Sequence, residues 1–232
     1  MCKLPQRQGT CYQSNQILQT AQKGDCKIIV TTTPNIEGKK ILVIHPMAKT
    51  IESQYNNHRE EILKAERIII CACGTSWHAG LIGKYIIEEL ARIPVEVEYS
   101  SEFRYRNPII TNKDIVIAIS QSGETADTLA ALKEAKRRGA KTIAIVNVVS
   151  SAIATTADDV IYTWAGPEIA VATTKAYTAQ ITVCMLLAIK LARVKSSINE
   201  GAYSKLISEI KKIPDKIKGI RKQSSVGLWE AV

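Results

Sequence analysis

From residue 67 onward the chain repeats a pattern that leaves few folds open. Short β-rich runs at 67–73, 95–99, 115–120, 141–147 and 159–163, most of them apolar through their centres, alternate with amphipathic stretches. The amphipathic stretches cover about 77–91, 124–138 and 174–195. A strand with one face in water alternates apolar and polar residues, whereas a strand that is apolar throughout must be covered on both faces. The pattern therefore predicts an α/β fold, a three-layer sandwich in which a parallel sheet of about five strands is flanked by helices on both faces. Gly139 is placed to end the helix before Lys141. A Lys-rich helix over 202–222 follows, with an interruption expected at Pro214.

Ahead of this series the texture differs. Residues 1–26 are polar and lack periodicity, which reads as loop. Residues 27–33 and 39–45 are β-rich runs around Pro34–Gly38 and suggest a hairpin. Residues 50–65 have a helical pattern with Ile51, Tyr55, Ile62 and Leu63 near one face. Three regions result: an N-terminal segment over 1–64, an α/β domain over 65–200, and a basic helix or linker over 201–232.

The net charge of +9 would suggest nucleic acid or an anionic surface if it lay on the folded domain. It does not. Residues 1–50 hold seven Lys/Arg against two Asp/Glu, and residues 195–232 hold eight against four. Residues 51–194 hold sixteen of each. With no nucleic-acid reading motif in sight, the basicity belongs to the ends, and neither nucleic acid nor membrane is expected as a partner. No run reaches the ~18 apolar residues that span a bilayer, and Met1–Arg7 lacks the apolar core of a secretory signal. A soluble, cytoplasmic chain is expected. Cys2, Cys11, Cys26, Cys71, Cys73 and Cys184 do not make a disulfide framework, since Cys71 and Cys184 fall in apolar elements. Cys-x-Cys beside scattered His and Cys is not a metal-ligand set either, so no metal and no cofactor are expected.

The chemistry gathers at strand ends. The strand 115–119 runs into Ser120-Gln121-Ser122-Gly123-Glu124-Thr125, and a helix begins there. In an open parallel sheet ligands bind beyond the carboxyl ends of the strands. A helix N-terminus adds free N–H groups and a positive dipole end, which suit an anion. Ser120, Ser122 and Thr125 add hydroxyls, and Gly123 lets the backbone approach closely. The turn has no Lys or Arg, so it would hold phosphate by neutral donors; the alternative is that Ser122 or Gly123 merely caps the helix. Cys73-Gly74-Thr75-Ser76 repeats the theme after the first strand. The small-residue tract 165–175 enters the helix at 174 and is placed to wall the same pocket.

These residues carry a family resemblance. Ala72–Ser76, Ser101–Arg106, Ser120–Thr128 and Ala165–Ala176 resemble, in order and over about 60–195, the isomerase half of the glutamine–fructose-6-phosphate aminotransferases. That half consists of two sugar isomerase (SIS) domains, and this chain looks like the first. The resemblance implies an SIS-type sandwich that binds fructose-6-phosphate or glucosamine-6-phosphate. It implies phosphate on Ser120, Gln121, Ser122 and Thr125, and sugar on Thr75, Ser76, Val171 and Thr173. Thr173 stands where the family shows Ser, and Ala170 where it shows Gly; the added methyls are expected to crowd the ligand. Ser150-Ser151-Ala152 stands where the family shows Gly-Ser-Ser, so a different loop backbone is expected there.

Two parts of the resembled enzymes find no counterpart here. Cys2 lacks the Gly-Ile-Val-Gly context of a glutaminase nucleophile, and the second SIS domain, which supplies the family's ring-opening and proton-transfer residues, is absent. Glu168, Lys175 and His78 are the candidate bases within 65–195, and Glu168 and His78 match no catalytic position of the family. The expectation is a fragment with the substrate cradle and no catalytic residue of its own, inactive alone and pairing as a homodimer through SIS faces. The alternatives are an isomerase completed across a dimer and a sugar-phosphate-sensing regulator.

Overall fold

The computed structural model describes residues 60–167 and 173–227, with side chains to Gly219. The hairpin expected at 27–45, most of the helix expected at 50–65, and Glu168, Ala170 and Val171 lie outside the described residues. Five strands form the sheet: β1 (Arg67–Ala72), β2 (Val95–Tyr99), β3 (Asp114–Ser120), β4 (Lys141–Val146) and β5 (Asp159–Tyr162). Every pairing is parallel and the order is β2-β1-β3-β4-β5. Six helices accompany them: α1 (Gly74–Ala91), α2 (Ser100–Tyr105), α3 (Ala126–Arg137), α4 (Ala152–Thr156), α5 (Lys175–Val194) and α6 (Glu200–Gly227).

Side-chain alternation sorts these helices onto two faces. Ile68, Ile70, Ile115, Ile117, Ile119 and Ile145 pack with Ile87 of α1, with Val183 and Leu187 of α5, and with Ile210 of α6. The intervening residues Ile69, Cys71 and Val116 pack with Phe103 of α2 and with Ala131 and Ala135 of α3. Ala118, Ala144 and Val146 pack with Leu132 of α3 and Ile153 of α4. A period of two along strands buried on both faces produces this three-layer arrangement.

The fold departs from the sequence expectation in four places. The short helices α2 and α4 fall between expected strands where no helix is expected from the sequence, being too short for a 3.6-residue pattern to register. Pro214 lies inside α6 without ending it. And α5 does have the length and composition of a membrane span, but 67% of that window is buried inside the protein, which makes it the core helix of one layer. Gly139 behaves as expected. It takes φ +88°, its N–H donates to Lys136 O, and Ala140 N–H donates to Ala135 O, the paired bonds of a Schellman helix end.

Charge collects at the amino end of the sheet. Arg67 grips Asp114 with Nε at 2.9 Å from Oδ1 and Nη2 at 3.1 Å from Oδ2, and its Nη1 lies 3.0 Å from Glu96 Oε1. Burial pushes the Asp114 carboxyl up, but hydrogen bonds from Arg67 and Thr111 outweigh it and hold the group below its ordinary value. Lys141 pairs with Asp159 at 2.9 Å and Lys136 with Asp158 at 2.7 Å. Asp158 also accepts from the N–H and Oγ1 of Thr142, and these bonds overcome burial to lower its pKa.

Candidate functional site

The order of the strands decides where a ligand can enter. From β1 the chain passes to β2 on one side, and β3 then lies on the other side of β1. Loops leaving the carboxyl ends of β1 and β3 therefore diverge and leave a crevice between them, the usual ligand position in an open α/β sheet. Residues 73–76 leave β1, residues 120–125 leave β3, and Ala72 and Ile119 face each other across the ladder. The two turns that sequence singled out are thus neighbours.

The turn after β3 is braced from within. Ser120, almost fully buried, accepts from Gly123 N–H through its Oγ at 3.0 Å, and the same Oγ lies 3.0 Å from Thr125 Oγ1. Ser122 Oγ accepts from Glu124 N–H at 3.2 Å. Gly123 sits at φ +69°, and a Cβ there would lie 2.0 Å from Ser151 Oγ. Only glycine fits, for conformation and for space alike. Thr125 occupies the N-cap of α3 without a side-chain cap bond, and Cys73 does the same for α1. Two helix N-termini, of 12 and 18 residues, thus open toward the crevice with no side chain covering their first-turn N–H groups.

Neighbouring loops hold that turn in place. Asn147 N–H donates to Gln121 O, Ile153 N–H to Gly123 O, and Ala152 N–H to Glu124 Oε1. The Asn147 side chain donates to Gly166 O at 2.8 Å, while its Oδ1 accepts from Ala165 N–H at 2.8 Å and Thr163 Oγ1 at 3.0 Å. One residue therefore links the phosphate-type turn to the tract that leads toward Thr173. Ser150 has φ +59°, a left-handed conformation that costs an L residue about 1–2 kcal/mol.

The residues expected to hold sugar are placed unequally. Thr75 is exposed at the start of α1, and Thr173 is half-buried just before α5. Ser76 is buried, and its Oγ accepts from Gln180 Nε2 of α5 at 3.0 Å. Val171 lies outside the described residues. Among the charged side chains near the turn, Asp127 in the first turn of α3 is paired with Arg104 at 3.2 Å. No cluster of three or more His, Cys, Asp or Glu suited to a metal occurs among the described residues. Desolvation pushes the buried Cys184 thiol up to about 12 and raises Cys71 as well, which disfavours the reactive thiolate form.

Sequence reasoning missed three residues that organise the site. Thr128, fully buried, lies 3.1 Å from Ser100 Oγ and 3.8 Å from Cys73 Sγ, tying α3 to the ends of β1 and β2. Asn147 carried a signal, a polar amide directly after an apolar strand. Gln180 carried one too, as a long polar side chain on the apolar face of a core helix.

Comparison with known proteins agrees with this geometry. The family model described as SIS domain matches residues 61–190. A glutamine–fructose-6-phosphate aminotransferase (isomerizing) of Caldanaerobacter subterraneus subsp. tengcongensis is 57% identical over 162 residues, covering 70% of this chain and 27% of that protein. One from Bacteroides thetaiotaomicron is 55% identical over 166 residues, covering 72% of this chain and 27% of its own length. The solved C-terminal domain of glucosamine-fructose-6-phosphate aminotransferase from Francisella tularensis superposes with a TM-score of 0.71 at 34% identity, over 78% of this chain and 53% of that one. The chain thus spans about a quarter of the length of the curated relatives it matches.

Proposed function

The chain belongs to the SIS domain family, and from that premise we propose that it binds a hexose phosphate, fructose-6-phosphate or glucosamine-6-phosphate, as the substrate cradle of a glutamine–fructose-6-phosphate aminotransferase. The observation that carries this is the turn 120–125 at the β1/β3 crevice. It offers hydroxyls, uncapped helix N–H groups and a glycine packed too tightly to be anything else, with no fixed cation. Such a site suits a phosphate that must enter and leave, since neutral donors and the helix dipole attract an anion without clamping it.

In this reading Ser122, Gln121 and Thr125 face the phosphate, with Ser120 bracing the turn from behind. Thr75, Ser76, Val171 and Thr173 hold the sugar. The described residues offer no base paired to a perturbing partner within the crevice, so the role assigned is binding and positioning. Among the described residues Cys71, Cys73 and Cys184 are free thiols, which supports a reducing compartment such as the cytoplasm. A homodimer formed through the SIS helices is part of the proposal and is tested by sedimentation.

Calorimetric titration tests the binding claim. Fructose-6-phosphate should bind and phosphate-free fructose should bind far more weakly; equal affinities would sink the assignment.

A further inference from the structure

We propose that Gln180 is a positioning residue for the sugar-phosphate site, acting through Ser76 by fixing the direction in which that hydroxyl donates. The inference rests on the binding role proposed above for Ser76.

Gln180 lies in the second turn of α5, 104 residues from Ser76 in sequence. It is 1% exposed in a helix whose other buried side chains are almost all apolar. Its Nε2 donates to Ser76 Oγ at 3.0 Å, while its Oε1 has no partner among the described residues. A serine hydroxyl has one proton and two lone pairs. An amide N–H on one lone pair leaves the proton with no task toward the core, and among the described residues Ser76 makes no second hydrogen bond. The hydroxyl then presents its proton to an acceptor at the crevice, which is what a phosphate or sugar oxygen requires.

Stability alone does not account for a glutamine here. A buried amide with an unpaired carbonyl is a poorer occupant of an apolar helix face than a methionine of similar length. Position gives the second reason. Gln180 follows the tract that holds Thr173, so one side chain sets the α1 turn against the start of α5, the two places where sugar contacts are expected. The device also couples them: a shift of α5 relative to α1 would turn the Ser76 proton away from the ligand.

The test uses the 232-residue chain with fructose-6-phosphate as probe and calorimetry as readout, alongside thermal melting. Gln180→Met should melt at or above the wild-type temperature yet bind about three- to tenfold more weakly, the range for losing one neutral hydrogen bond. In a Ser76→Ala background the same change should have no further effect on affinity, because Gln180 acts only through that hydroxyl. Gln180→Glu, which can accept the Ser76 proton but in its ionised form cannot donate, should bind more weakly still. Unchanged affinity in Gln180→Met, or an additive loss in the double variant, would overturn the assignment while leaving the binding role of the site intact. Failure of both Gln180 variants to fold would make the residue structural and overturn it as well. No binding by the wild-type chain would remove the sugar-phosphate reading itself, and this inference with it.

Discussion

Four of the five strands begin on a charged residue, Arg67, Asp114, Lys141 and Asp159, whereas the positions that end or follow all five are Cys73, Ser100, Ser120, Asn147 and Thr163. At the amino end the charges are spent on each other, in Arg67–Asp114–Glu96, Lys141–Asp159 and Lys136–Asp158. At the carboxyl end neutral donors brace the turns and helix N-termini are left without side-chain caps. A charge paired within the fold holds the sheet together but has little left for a ligand. A hydroxyl or amide N–H can exchange partners at small cost, which is what reversible anion binding needs. The same sheet is therefore locked at one end and receptive at the other.

Substitutions at each end should separate these roles. The largest effect is expected for Gly123→Ala, where a side chain combines a left-handed backbone with a 2.0 Å clash against Ser151 Oγ. Strain and overpacking together should cost about 2–5 kcal/mol of stability and abolish ligand binding, read by urea unfolding and calorimetry. Adding Ser151→Gly should recover the overpacking share but not the backbone strain. If Gly123→Ala were harmless, the tight packing of the turn would be refuted.

Arg67→Met probes the locked end. It leaves the nearly buried Asp114 without its cation and should cost about 3 kcal/mol, with the fructose-6-phosphate dissociation constant unchanged. A parallel fall in affinity would show that the two ends are coupled. Ser122→Ala probes the receptive end, and should weaken binding by roughly 1.5–3 kcal/mol, as for a hydrogen bond to a charged group, with little change in melting temperature.

Acid should also split the ends. Asp114 and Asp158 have folded pKa values below their ordinary 3.8. Their stabilisation is complete above that ordinary value and is lost as the pH falls through the lowered ones, so unfolding by acid should begin only below about pH 4. A phosphate monoester instead loses its second charge near about pH 6. Affinity should therefore fall by about two- to fivefold between about pH 7 and pH 5, the share of one charge at a helix N-terminus, while the melting temperature holds steady. Thr173→Ser is the smallest change, expected to tighten binding by at most about 1 kcal/mol through removal of one methyl. Weaker binding there would mean that the methyl packs favourably on the sugar.

The layers and the strand-end turns were legible because burial writes itself into composition: Ile68–Cys71 and Ile115–Ile119 are apolar at every position, and Gly123 breaks the pattern where the chain must turn. The helices α2 and α4 were not, since six and five residues hold less than two helical turns. The inward bonds of Ser76, Thr128 and Asn147 were hidden for another reason. Each joins segments brought together only by the order of strands in the sheet, so no local spacing reports it. Ser120 illustrates the limit. Its hydroxyl is legible as a donor near an anion, but the bond it accepts from Gly123 N–H, which braces the turn, is not.

The most direct measurement is a backbone amide NMR titration of the chain with fructose-6-phosphate. The largest shifts should fall on Ser122–Ala126 and Gly74–Trp77, with Ile68, Ile115 and Thr142 at the locked end unmoved. Shifts concentrated near Arg67, Asp114 and Lys141, or no saturable shift at all, would contradict a phosphate site at the carboxyl end of the sheet.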